Sequence, residues 1–228
     1  MKMNKKNILL VSLLVCAVAI LSLGTLAWFN ATADVTNTFK VSTSASDGTP
    51  DFSVEVWETK NDGTTDTTTD GNVYENIAPG DKIAKNPTVE NTGDYDQYIR
   101  VYVTFSDYAE IAQAYADHAQ NFDLRTWLNV DNTVWFADDE LTAVDTTADT
   151  ITYGYYLRSV LKKNDDTATD DTAVLFTEVS IPTWFEQEDM QYSTDGFTVN
   201  VLAQAIQSAN TGDTAKTAFL NWLDDYNA

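Results

Sequence analysis

The sequence predicts an all-β fold, a jelly-roll-like β-sandwich with short helical insertions and a C-terminal helix. Three observations lead to this class. Seven or more segments have strand character, most of them alternating apolar and polar residues with the period of two typical of half-buried strands. Turns rich in Asp, Gly and Thr separate these segments, and only two stretches of the body show helical spacing. Short strands with few helices favour a two-sheet sandwich, and the jelly roll is the expected form.

The first 27 residues have the three parts of an export signal. An apolar run from Ile8 to Leu23 follows a lysine-containing start, and small residues, Thr25 and Ala27, occupy the two positions that a signal peptidase recognises. We therefore expect cleavage between Ala27 and Trp28 and a protein that is secreted to the extracellular matrix or the cell surface. A transmembrane anchor over residues 8–29 is the alternative, but Gly24 and the lack of a following basic cluster disfavour it.

Residues 28–50 form an extended N-terminal segment and linker ahead of a domain predicted for residues 51–228. Trp28 and Phe29 begin the mature chain, and Val35, Phe39 and Val41 fall on one side of an extended strand. Ser42 to Pro50 has the composition of a flexible link. The new terminus is thus apolar and β-forming, and it could also be the first strand of its own domain.

The domain is predicted as strands, a helical insertion and a closing helix. The clearest strand is Gln97 to Phe105, in which Ile99, Val101, Val103 and Phe105 share one face. Asp107 and Glu110 have capping-box spacing before a helix with an apolar stripe from Tyr108 to Phe122. The remaining predicted elements are strands at 51–57, 73–77, 134–137, 150–161, 173–181 and 197–205, a loop or hairpin tip at 61–72, and an amphipathic helix from Ala215 to Tyr226.

Composition limits the partners. The whole chain has a formal charge of −22, and removal of the signal peptide with its three lysines and no acid takes the mature chain to −25. Such a chain repels phosphate backbones and anionic headgroups, so we expect no nucleic-acid partner and no stable membrane anchor after cleavage. The single cysteine, Cys16, lies in the signal peptide, so the mature fold must be held by its core without disulfides.

Several short motifs occur in an order that resembles a known family. They are Gly24-Thr-Leu-Ala-Trp-Phe-Asn30, Ala78-Pro-Gly-Asp81, Val89-Glu-Asn-Thr-Gly93, Tyr98-Ile-Arg-Val-Tyr-Val103, Tyr153-Gly-Tyr-Tyr-Leu157 with Val160-Leu-Lys162, Ala173-Val-Leu-Phe176 and Ala203-Gln-Ala-Ile-Gln207. Together they resemble the TasA and camelysin (CalY) family of secreted biofilm-matrix fibre proteins, which are exported through a dedicated signal peptidase of the SipW type. None of the motifs is specific alone.

The resemblance implies a jelly roll and a fibre built by donation of the mature N-terminal strand to the next subunit. In this chain the donor residues would be Trp28, Phe29, Val35, Phe39 and Val41. Main-chain hydrogen bonds would supply affinity while apolar side chains fill pockets of the acceptor. The implied partners are other copies of the chain, arranged head to tail, and other matrix or accessory subunits.

Catalysis is not expected, although camelysin is described as a metalloprotease. A catalytic zinc needs three protein ligands, and this chain has one histidine, His118, which we expect on a helix surface. A serine nucleophile would need a base and a nucleophile elbow that the sequence lacks. We therefore expect no enzyme, no catalytic residue, no bound metal and no cofactor.

Two binding alternatives stay open. Two groups of aspartates could bind calcium, although neither has the spacing of an EF-hand; they are Asp62, Asp66 and Asp70, and Asp165, Asp166, Asp170 and Asp171. A carbohydrate-binding or adhesive sandwich is the second function class, because four tryptophans could stack on sugar rings. They are Trp57, Trp127, Trp135 and Trp184.

Overall fold

A computed structural model of the chain describes residues 31–33, 52–163, 170–190, 196–209 and 211–227. The strands are β1 (Ala31–Ala33), β2 (Val54–Thr59), β3 (Thr67–Thr68), β4 (Asn72–Tyr74), β5 (Lys82–Ala84), β6 (Thr88–Asn91), β7 (Gln97–Ser106), β8 (Trp135–Asp145), β9 (Thr150–Leu157), β10 (Thr172–Val174), β11 (Glu178–Ser180) and β12 (Val199–Gln207). The helices are α1 (Tyr108–Asp117) and α2 (Ala215–Asn227), with 3-10 turns at Leu124–Trp127 and Gln187–Met190. Within these ranges no helix is both long and apolar enough to cross a membrane.

All strand pairs are antiparallel, which confirms the predicted all-β class. One four-stranded sheet has the order β12-β7-β9-β8, and a second has the order β10-β6-β2-β3. Two further pairs, β1 with β4 and β11 with β5, lie outside these sheets. Many neighbours are far apart in sequence, since β12 pairs with β7 and β10 pairs with β6.

The pair β11–β5 continues the pair β10–β6. Val174 pairs with Thr88 and Glu178 pairs with Ala84, so both halves follow a single register. The ladder is interrupted around Pro87, which has no N–H to donate. The predicted strand 173–181 is therefore two short strands in one line, and the predicted loop 61–72 contains β3, which pairs with the end of β2.

The core confirms the predicted faces of β7. Ile99, Val101, Val103 and Phe105 are all fully buried, and they pack with the inward residues of β2, β9 and β12. Aromatic rings fill the centre, where Trp127 makes edge-to-face contacts with Phe105, Phe185 and Phe197. No disulfide supports this apolar core, because the single cysteine of the chain is Cys16.

The two helices begin where the sequence placed them, but α1 ends at Asp117 and not near Phe122, and its predicted capping box is wrong. Asp107 has a φ of 56° and makes no side-chain cap bond. Instead, Asp149 in the β8–β9 turn accepts a hydrogen bond from the Ala109 N–H at 2.9 Å. Helix α2 covers the outer face of the first sheet, where the Arg100 guanidinium lies 4.3 Å from the Phe219 ring centroid.

Candidate strand-acceptor site

The described part of the N-terminal segment is strand β1. It pairs with β4 through the register Ala31 with Tyr74, Thr32 with Val73 and Ala33 with Asn72. Cα atoms of β1 also come within 8 Å of Cα atoms of β12. This short stretch of the segment thus runs between a small edge strand and the edge of the four-stranded sheet.

A cleft of about 810 Å³ lies beside β4 and β5. Its walls come from β4, β5, the end of β2 and the loops between them, and its apolar residues include Val73, Tyr74, Ile77 and Ile83. The Val73 side chain is 57% exposed, the largest value among the exposed large hydrophobic residues of the described chain. The Tyr74 hydroxyl donates to the Ala84 carbonyl at 2.9 Å and ties β4 to β5. An apolar strand that lay in this cleft would cover surface that water now contacts.

A buried ion pair lies under the cleft. Lys85 Nζ is 2.9 Å from Glu58 Oε2, and both side chains are almost completely excluded from solvent. Glu58 Oε1 is buried and has no hydrogen-bond partner within the described residues. Burial raises the pKa of the Tyr74 hydroxyl, and the negative charge of Glu58 raises it further. The carboxylate that pairs with Lys85, a residue lining the cleft, therefore keeps one buried oxygen without a partner in the described chain.

Among the described residues, the outer edge of β12 pairs with no other strand. The bonds from Ser106 N–H to Thr198 O and from Ser208 N–H to Asp96 O show that even-numbered residues of β12 bond to β7. The backbone groups of the odd-numbered residues, Val199, Val201 and Ala203 among them, therefore point away from β7. Within the described chain these groups have no hydrogen-bond partner, whereas their side chains are buried in the core.

Strand β2 has a matching open edge. The Lys60 N–H bonds to the Asp66 carbonyl, so even-numbered residues of β2 face the β3 side, away from β6. Because β3 pairs only with Glu58 and Thr59, the backbone groups of Val54 and Val56 face no strand in the described ranges. Cα atoms of β2 and β12 approach within 8 Å. Within the described ranges, two strand edges without a partner thus lie near each other, and one of them, that of β12, is near β1.

No protein-family model, curated protein or solved structure matches this chain. The family resemblance therefore rests on the sequence motifs alone.

The residues predicted for cleavage and donation lie outside the described residues. They are Ala27, Trp28, Phe29, Val35, Phe39 and Val41. Between them, only Ala31–Ala33 are described, and they pair with β4 of the same chain. This pairing is what a first strand of the chain's own domain would make.

His118 is more enclosed than the predicted surface position. Its Nε2 is 3.2 Å from both carboxylate oxygens of Asp189, and its ring centroid is 5.3 Å from that of Trp184. The contact joins the end of α1 to the second 3-10 turn.

In the described ranges no three His, Cys, Asp or Glu side chains converge as a metal site would require. Asp62 accepts hydrogen bonds from Thr64, and Asp165 and Asp166 lie outside these ranges.

The four candidate tryptophans separate into two groups. Trp127 and Trp135 are 1% and 0% exposed, so neither can stack on a sugar. Trp184 is partly buried and packs edge-to-face on Tyr115 and Phe185. Trp57 is also partly exposed, but it lies on the outer face of β2 and lines a separate cleft. Of the four, Trp57 is the one that is both partly exposed and part of a cleft in the described chain, as a sugar-binding residue would be.

Sequence reasoning missed the Glu58–Lys85 pair and the open edges of β2 and β12. Glu58 falls on the inward side of β2, because it continues the alternation of Val54 and Val56. A charged residue at an apolar position of a strand pattern was the available signal, and it indicates a buried partner. The identity of that partner depends on tertiary pairing between β2 and the residues after β5.

Proposed function

We propose that the mature protein is a structural subunit of secreted extracellular filaments, with no enzymatic activity. It would assemble when the segment 28–50 of one copy pairs as a strand with the next copy, as in the biofilm-matrix family that the sequence resembles. We extend the proposal to jelly-roll connectivity of the sandwich, which the pairing of sequence-distant strands such as β12 with β7 supports.

The observation that supports this function most directly is the position of β1. A ladder of three residues holds it on β4, in a two-stranded sheet that is separate from the rest. It passes the outer edge of β12, whose outward backbone groups have no partner in the described chain. Open edges of this kind accept strands from other chains.

The connecting chain is long enough for donation. Residues 42–53 connect the last donor residue, Val41, to β2, and 12 extended residues span up to about 40 Å. A domain of this size has a radius of gyration of about 16 Å. The segment could therefore leave its own β4 and reach that of a neighbour. Because donor and acceptor surfaces differ, the contact would repeat head to tail as a filament.

Cysteine cross-linking tests whether β1 pairs in trans. The mature chain has no native cysteine, and Thr32 lies opposite Val73 in the ladder. Register partners on adjacent strands are close enough for a disulfide. We expect Thr32→Cys/Val73→Cys filaments, oxidised and then denatured, to give a ladder of covalent oligomers. A mixture of the two single variants should give covalent dimers.

A matched control moves the acceptor cysteine from position 73 to position 144. Val144 is 44% exposed on β8, at the opposite edge of the sheet from β12, so Thr32→Cys mixed with Val144→Cys should give no dimers. Electron microscopy should show filaments of the mature protein, and none for a chain that begins at Asp51 or carries Phe39→Asp. Intrachain disulfides alone in the double variant, with filaments still present, would mean that assembly uses another surface.

A further inference from the structure

The outer face of β2 carries a second cleft, of about 490 Å³, which lies away from β4. It is lined by residues of β2, β6 and the β3 region, among them Glu55, Trp57, Lys60, Asp70 and Glu90. A volume of this size is typical of small-ligand sites. The lining is mainly carboxylate and hydroxyl groups around one aromatic ring.

Trp57 is held in a fixed orientation at this cleft. Its Nε1 donates to Glu90 Oε2 at 2.7 Å. Glu55 and Glu90 are register partners, so their side chains and that of Trp57 project from the same outward face. The ring is partly exposed, in contrast to the buried Trp127 and Trp135. One aromatic side chain and two carboxylates are thus presented to solvent in a defined geometry.

The charge of the cleft is unbalanced. Three carboxylates, those of Glu55, Asp70 and Glu90, line it with a single cation, Lys60. Lys60 also lies near another carboxylate, because its Nζ is 4.0 Å from Asp66 Oδ2. Glu55 lies directly opposite Glu90, where like charges destabilise a sheet. Within the described chain the Glu55 carboxylate has no hydrogen bond or ion pair, and a cation placed between the two glutamates would relieve the repulsion.

We propose that this cleft binds an amino-sugar unit of a cationic glycan. The polarised C–H face of the pyranose would stack on the Trp57 ring, whose face is electron-rich. The ammonium group would lie between Glu55 and Glu90, and the threonine hydroxyls and Asp70 would bond the ring hydroxyls. The subunit would then bind matrix polysaccharide through its outer face, independently of the strand-acceptor site.

Calorimetric titration of the mature protein with a glucosamine hexamer tests this assignment. We expect saturable binding that weakens at least tenfold in Trp57→Ala and in Glu55→Gln. Phe136→Ala is the matched control, because Phe136 is 39% exposed on β8 of the other sheet, and it should bind as the parent does. Far-ultraviolet circular dichroism and filament formation should be unchanged in all three variants.

Two further ligands separate the contribution of the ammonium groups from that of the sugar ring. The N-acetylated hexamer lacks the ammonium groups and should bind at least tenfold more weakly than the glucosamine hexamer. A lysine hexamer has charge without a sugar ring, and its binding should not depend on Trp57. Absence of glucosamine-hexamer binding, equal binding of the acetylated form, or full binding by Trp57→Ala would each overturn the proposal. Binding of the lysine hexamer as tight as that of the sugar would do the same.

Discussion

Tyr153 and Tyr155 occupy neighbouring inward positions on β9 but differ in one contact. Both side chains are buried, at 4% and 2% exposure. The Tyr153 hydroxyl accepts a hydrogen bond from the Leu124 N–H at 3.2 Å. The Tyr155 hydroxyl is buried without a partner in the described chain. A buried polar group without a partner destabilises the folded state, whereas a satisfied one contributes modestly.

We predict opposite effects for the same substitution at these two positions. Tyr155→Phe removes an unsatisfied hydroxyl and should raise the free energy of unfolding by about 1 kcal/mol. Tyr153→Phe leaves the Leu124 N–H unpaired and should lower it by about 1 kcal/mol. Urea denaturation of the mature protein measures both values. A loss of stability in Tyr155→Phe equal to that in Tyr153→Phe would contradict the assignment of an unpaired hydroxyl.

At the level of elements, the part of β8 where the register shifts lies against a glycine of β9. The β8–β9 register shifts between Asp138 and Ala143, and in this interval the Leu141 side chain lies over Gly154. A Cβ at Gly154 would overlap Leu141 Cβ and lie 2.6 Å from its Cδ1. Leu141 in turn packs against the cluster that α2 covers, which includes Tyr156 and Phe219.

We predict that Gly154→Ala destabilises the domain by about 1 to 3 kcal/mol, because the added methyl overpacks this contact. In Leu141→Gly/Gly154→Ala the overlapping Leu141 Cβ is absent, so the double variant should be more stable than additivity of the single variants predicts. Denaturant unfolding of the four proteins gives the coupling energy. Additive effects would show that Gly154 is required by the backbone alone.

The sequence predicted most elements because their signals are local. The alternation of β7 and the helical spacing of α1 and α2 require no knowledge of the partner. The errors arose where a distant residue decides the structure. Asp149 caps α1 from 40 positions away, and Pro87 interrupts a ladder whose other strand is 173–181. The open edges of β2 and β12 could not be predicted either, since an edge is defined by the strands that do not pair with it.

For the whole molecule, the buried tyrosines couple stability to alkaline pH. Burial raises the pKa of Tyr153 to about 12, and it raises the pKa of Tyr155 and Tyr115 as well. In the unfolded chain these groups ionise near pH 10. The folded state therefore retains protons that the unfolded state loses, so the stability contribution is complete below pH 10 and declines as the pH rises toward 12.

We predict that a late phase of tyrosinate absorbance coincides with loss of the far-ultraviolet β signal above pH 10. Exposed tyrosines should ionise earlier without unfolding. The Tyr155→Phe variant should unfold at higher pH than the parent, because one buried ionisable group is absent. Tyrosinate absorbance that is complete near pH 10 with an intact β signal would contradict this coupling.

The three-residue ladder between β1 and β4 has a kinetic consequence. A few net hydrogen-bond contributions of about 1 kcal/mol each hold such a strand, so its detachment is a local opening far cheaper than unfolding of the sandwich. If donation occurs, release of the segment would be fast, and filament growth would be limited by encounter of the two copies. The elongation rate would then rise in proportion to subunit concentration and fall at low ionic strength, where subunits of charge −25 repel each other.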